Sequence, residues 1–176
     1  QMAVRGHGCD CLGLVAGVWR AVYGDLPEAM PAYSGDWGDA DGNEHVLEAA
    51  RRHFDEIDVH RAGRGDLLAF RWRRHGAAKH CGILTEGSVF AGRMVHAYEK
   101  RGVVEVSLGA WGNRVVAAFA WPAVKTRTTV DGVPLRGPSS YTSVINAASS
   151  PNCFNISSGV CSGSWPARFA LVHVSG

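Results

Sequence analysis

Three residues carry types and surroundings that could do covalent chemistry: Cys11, His80 and His96. Cys11 follows a glycine-bearing loop and opens an apolar-periodic stretch that reads as the first turn of a helix. There, free backbone N–H groups and the helix dipole favour a thiolate over a thiol, and the thiolate is the nucleophile. A cysteine nucleophile also needs a base within hydrogen-bond reach, itself oriented by a third polar group. His80 and His96 sit in short apolar runs, His80-Cys81-Gly82-Ile83-Leu84 and Met94-Val95-His96-Ala97. Neighbouring antiparallel strands would place both imidazoles on one face, so that His80 takes the Cys11 proton while His96 orients its ring. The other six histidines (His7, His45, His53, His60, His75, His173) fall in helix faces, loops or the tail and read as solvated.

The elements that must hold these residues are legible as local patterns. Leu14, Val15, Val18, Trp19 and Val22 follow helical spacing, Asp10 is a good N-cap and Gly24 a good stop, which predicts a helix over about 11–23. Residues 25–42 are acidic and turn-rich. Asp41 with Glu44 reads as a capping box that starts a second helix over about 42–56. Five strands are predicted after Gly65, at 66–72, 80–85, 93–99, 103–108 and 115–121, separated by glycine-containing turns. Helices followed by an antiparallel meander give an α+β fold class.

Composition sets the outer limits. The chain has 176 residues, 46% apolar and 19% charged, with a formal charge of +2. That balance argues against nucleic acid or an anionic membrane as the main partner. No apolar run is long enough for a membrane span, and no secretory signal pattern is expected. Residues 1–122 hold 14 of the 18 Lys and Arg and 15 of the 16 Asp and Glu, whereas ten of the serines follow Pro122. A first domain over 1–122 and a Ser/Gly/Pro-rich tail over 123–176, of no assigned role, are therefore expected.

Cys9, Cys11, Cys81, Cys153 and Cys161 form an odd, uneven set that reads as mostly free thiols, with Cys81 facing the core. Cys9 and Cys11 with His7 could be part of a zinc site, but no second Cys/His pair at ligand spacing completes it. Neither metal nor cofactor is expected. Arg71, Arg73 and Arg74 make a small basic cluster, read as a wet strand end.

Taken together, Asp10-Cys11-Leu12-Gly13-Leu14-Val15, Gly65-Asp66-Leu67-Leu68, His80-Cys81-Gly82-Ile83 and Val95-His96-Ala97 resemble, in order, the motifs of the NlpC family of papain-like cell-wall peptidases. Gly8-Cys9-Asp10-Cys11, Gly17-Val18-Trp19-Arg20, Ala78-Lys79-His80 and Ala117-Ala118-Phe119 resemble most closely the members encoded with phage tails and gene transfer agents. The resemblance covers about 5–122. It implies a papain-like fold with Cys11 as nucleophile, His80 as general base and His96 as the orienting residue, and Asp10 is read as a substrate contact beside them.

The implied reaction is hydrolysis of peptidoglycan stem peptides at a D-glutamyl-diaminopimelate type bond, with the Cys11 N–H as an oxyanion donor. The implied partners are that peptide and other tail proteins. The implied location is a phage-like tail, assembled in the bacterial cytoplasm and acting at the periplasmic wall. The family's helix and tyrosine ahead of the cysteine loop have no counterpart here, and Leu12 stands where many members carry Ser. These departures motivate an alternative, a structural tail component that keeps the fold without activity.

Overall fold

The computed structural model describes residues 3–4, 8–33, 42–98 and 101–123. Two short strands, β1 (Ala3–Val4) and β2 (Gly8–Cys9), pair antiparallel and lead into helix α1 (Cys11–Tyr23). Helix α2 (His45–His53) is followed by β3 (Asp55–Ile57), β4 (Leu67–Arg71), β5 (Ala78–Glu86), β6 (Arg93–Tyr98), β7 (Gly102–Ser107) and β8 (Val115–Ala120). The fold is mixed helix and antiparallel sheet, as the α+β expectation held.

Helix α1 begins and ends where its local signals place it. The Asp10 carboxylate accepts the Gly13 N–H at 2.8 Å, and Gly24 closes the last turn at φ 90°, a conformation glycine adopts without strain. The second helix is shorter than the predicted 42–56. Phe54 ends it, and Asp55–Ile57 turn into strand β3, an edge strand with largely exposed side chains and so no burial alternation to mark it. The capping-box expectation is also corrected. Glu44 is the N-cap but makes no side-chain cap bond, while Asp41 lies outside the described residues.

The predicted meander is correct for β4 to β7 and fails at its ends. The sheet order is β3-β8-β4-β5-β6-β7, so β8 returns across the sheet to pair with both β3 and β4. That closure buries β4 on both faces. Leu67 and Ala69 join Cys81, Ile83, Val95 and Phe119 under Val18, Trp19, Leu47 and Ala50 of the helices. Leu68 and Phe70 join Leu84, Met94 and Ala118 on the opposite face, beneath Val89 and Leu108. Full burial of a side chain such as Phe70 or Phe119 contributes about 1.5–3 kcal/mol.

Helix α1 is fixed over the sheet by an aromatic cluster. Trp19 meets Tyr23 at 4.6 Å with the rings tilted and Phe54 at 5.3 Å, and Phe54 meets Trp121 at 4.9 Å. Each polar handle is satisfied: the Trp19 indole N–H donates to the Asp25 carbonyl, Tyr23 to Pro122 and Trp121 to Gly65. Among the described residues no helix is long and apolar enough to cross a membrane.

Candidate active site

The start of α1 meets the start of β5. Asp10 is held at both carboxylate oxygens, since Oδ1 caps Gly13 and Oδ2 accepts the Tyr33 hydroxyl at 2.6 Å. This fixes the first turn and thereby Cys11. Three consecutive residues of β5 then reach the half-buried Cys11. Its Sγ lies 4.0 Å from the Lys79 carbonyl, the Cys81 Sγ lies 3.3 Å from its carbonyl oxygen, and the His80 charge acts on its sulfur.

These contacts decide which thiol ionises. Cys11 is lowered from the ordinary 9.0 to about 5, first by a hydrogen bond from the Cys81 thiol and then, against the opposing cost of burial, by the His80 hydrogen bond and charge. Cys81 is pushed well above the ordinary thiol range by the same shared bond and by full burial. Two thiols sharing one hydrogen bond cannot both ionise, and the one beside the imidazole and the helix start takes the charge. Cys9, also half-buried, is raised to about 11 by burial first and by the Asp10 and Cys11 charges next.

His80 and His96 come together as expected. His80 Nε2 lies 2.8 Å from His96 Nδ1, with the rings at 80°. Gly82 permits the approach of the two strands: a Cβ there would sit 3.0 Å from Met94 Sδ and 3.3 Å from His96 Cβ. His96 is 1% exposed and lowered to about 4, by burial first and the His80 charge second, so it stays neutral. When His80 Nε2–H donates to His96 Nδ1, the His96 proton sits on Nε2, a buried atom with no hydrogen-bond partner among the described residues.

Aromatic rings enclose this pair. His80 has Phe70, Trp72 and Trp111 within 5.9 Å, and His96 has Trp111 at 4.8 Å and Tyr98 at 5.5 Å, centroid to centroid. Such packing limits ring rotation and keeps water from the Nε2–Nδ1 bond, as an orienting pair requires.

The frame around the site gives Glu44 and Arg71 roles other than the capping box and the wet strand end expected of them. The Glu44 carboxylate binds the Arg71 guanidinium and accepts the Ala78 N–H at 2.8 Å, tying the start of α2 to the start of β5. Asp66 accepts the Gly63 N–H, while Gly65 N–H donates to the Leu84 carbonyl, which explains the Gly65-Asp66-Leu67 turn ahead of β4. Tyr33, Trp72, Trp111 and Glu44 are contributed by loops and an N-cap. Only proximity in the fold marks Tyr33, Trp72 and Trp111, whereas the spacing from Asp41 singles out Glu44 for a cap bond that it does not make.

The remaining histidines lie elsewhere. His53 sits 3.2 Å from Glu28, His60 stacks on Phe90, His45 opens α2 and His75 is exposed in the β4–β5 turn. His7, His173, Cys153 and Cys161 fall outside the described residues. Among the described residues no group of three or more His, Cys, Asp or Glu side chains is placed to hold a metal ion. An apolar cavity of about 390 Å³ lies between α1, α2 and residues 26–33, floored by Leu67, Cys81 and Phe119; Cys11, His80 and His96 do not line it.

No protein-family model and no curated protein matches the chain.

Proposed function

We propose that this chain is a cysteine peptidase of the NlpC type, with a papain-like arrangement of α1 against the sheet. The observation that carries the reading is the Cys11 thiol at a capped helix start, against a His80–His96 pair bonded at 2.8 Å. A thiolate, a base and an orienting group in this order are the parts of an acyl-transfer site.

The Cys11 thiolate attacks the scissile carbonyl. The N–H groups of the first helical turn have no carbonyl four residues earlier within α1, and that of Cys11 faces the developing oxyanion. His80 gives its proton to the leaving amine as the acyl group passes to Cys11 Sγ. A water, deprotonated by His80, then cleaves the thioester and returns the thiol. His96 remains neutral throughout and holds the His80 ring. The Asp10 carboxylate, already bonded to Gly13 and Tyr33, acts on substrate through the position of Cys11 and whatever lone pairs those bonds leave.

The substrate class follows from the motif resemblance: peptidoglycan stem peptides, cut beside a D-glutamyl residue during phage-like wall penetration, with other tail proteins as partners. Release of soluble muropeptides from purified sacculi tests it. Wild type and Cys9→Ala should release them, and Cys11→Ala should not. If wild type releases none, the structural tail-component alternative replaces this reading. If Cys9→Ala abolishes release while Cys11→Ala retains it, the nucleophile is misassigned.

A further inference from the structure

The Cys81 thiol has no step in the hydrolysis above, yet it is the buried neighbour of the nucleophile. It is 2% exposed and its Sγ lies 3.3 Å from the Cys11 carbonyl oxygen. Cys11 packs against the same core cluster that contains Cys81, and both are free thiols. The strand continues from His80 to Cys81, so base and second thiol flank Cys11 together.

We propose that Cys11 and Cys81 form a reversible oxidation site, in which a hydroperoxide oxidises the nucleophile and Cys81 closes a disulfide that switches it off. In the first step the Cys11 thiolate sulfur attacks the peroxide. The O–O bond breaks, a sulfenic acid forms, and the departing oxygen takes a proton and leaves as water from hydrogen peroxide or as an alcohol from an organic hydroperoxide. The sulfur is oxidised by the two electrons that reduce the peroxide. In the second step the Cys81 sulfur attacks the sulfenic sulfur, the S–S bond forms, the S–O bond breaks, and the hydroxyl leaves as water with the Cys81 proton. A dithiol reductant restores both thiols.

The chemistry selects the order of the two residues. Cys11 is the half-buried, readily ionised thiol and meets the oxidant first, whereas Cys81 is sealed beneath it. Conversion of Cys11 to the neutral sulfenic acid also removes the negative charge that opposes ionisation of Cys81. Cys9 is the poorer partner. It lies in an extended segment two residues away, where a rise of about 3.3 Å per residue sets the α-carbons near the upper limit for a disulfide.

This site goes beyond the peptidase reading and needs only a reactive Cys11, so its test uses mass and thiol content. The full chain is treated with hydrogen peroxide, alkylated and mapped by mass spectrometry. A Cys11–Cys81 linked peptide, lacking the two thiol hydrogens and returned to free thiols by dithiothreitol, is expected in wild type and in Cys9→Ser. Cys81→Ala and the bulkier Cys81→Val should instead accumulate Cys11 sulfinic and sulfonic acids that dithiothreitol does not reverse. Over-oxidised Cys11 in wild type, or a Cys9–Cys11 link as the main product, would overturn the proposal. A chain that forms the disulfide on oxidation but, once reduced, still releases no muropeptide would refute the peptidase reading and leave this one standing.

Discussion

Helices α1 and α2 both start at an acidic residue, and the two carboxylates do different work. Asp10 turns back onto its own helix, caps Gly13 and is pinned by Tyr33, so the first turn that carries Cys11 is rigid. Glu44 leaves its helix without a side-chain cap and reaches Arg71 and the Ala78 N–H, so it fastens the strand that carries His80. One acid positions the nucleophile from within its element. The other positions the base from a neighbouring one. The same residue class at the same helix position thus serves local geometry in one case and tertiary registration in the other, depending on which donors the fold brings within reach.

The contrast breaks most visibly in turnover. Asp10→Ala frees the first turn of α1, and a displacement of the nucleophile by an ångström can cost about 10²-fold. Glu44→Ala acts at the far end of the frame and should cost clearly less. Muropeptide release rates for the two variants check this ordering, and equal losses would erase the distinction.

Acid probes the histidine side of the same junction. His96 titrates in the folded chain at about 4 against an ordinary 6.5, so the unfolded chain takes up the proton first. Stability is therefore full above pH 6.5 and falls as the pH drops toward 4, by up to roughly 1.4 kcal/mol per pH unit from this residue. Denaturant midpoints across that range should show the fall, and His96→Asn should flatten it.

Stability separates the two acids in the opposite sense from turnover. Glu44→Ala leaves a part-buried guanidinium and the Ala78 N–H without their partner, which costs about 1–3 kcal/mol. Asp10→Ala loses an N-cap, worth about 1 kcal/mol, and leaves the hydroxyl of the half-buried Tyr33 to bond water in place of the carboxylate. Thermal unfolding of both variants should rank Glu44→Ala as the less stable.

What the sequence discloses follows the range of the interaction. Helix α1 was legible from end to end because Asp10, the apolar spacing and Gly24 act within one helix. The cores of β4 to β8 were legible from β-branched and aromatic runs. The place of β8 between β3 and β4 was not, since pairing of Phe119 with Leu67 and Glu56 leaves no local mark. Helix α2 was misread at both ends because an Asp–Glu pair at capping-box spacing was outweighed by Arg71, and an exposed edge strand carries no alternation. At the site, Cys11, His80 and His96 were named from residue type and context, and the fold brings them together. Tyr33, Trp111 and Cys81 gained their contacts only through the packing of distant segments.

The peptidase and the oxidation readings both need Cys11 to be a thiolate, activated by Cys81 and His80 beside the start of α1. The direct measurement is the pH dependence of Cys11 alkylation by iodoacetamide in the full chain, followed by peptide mapping. Cys11 should reach half its maximal rate near pH 5, with Cys9 lagging toward about 11. Half-maximal alkylation of Cys11 near 9.0, the ordinary thiol value, would contradict the claim.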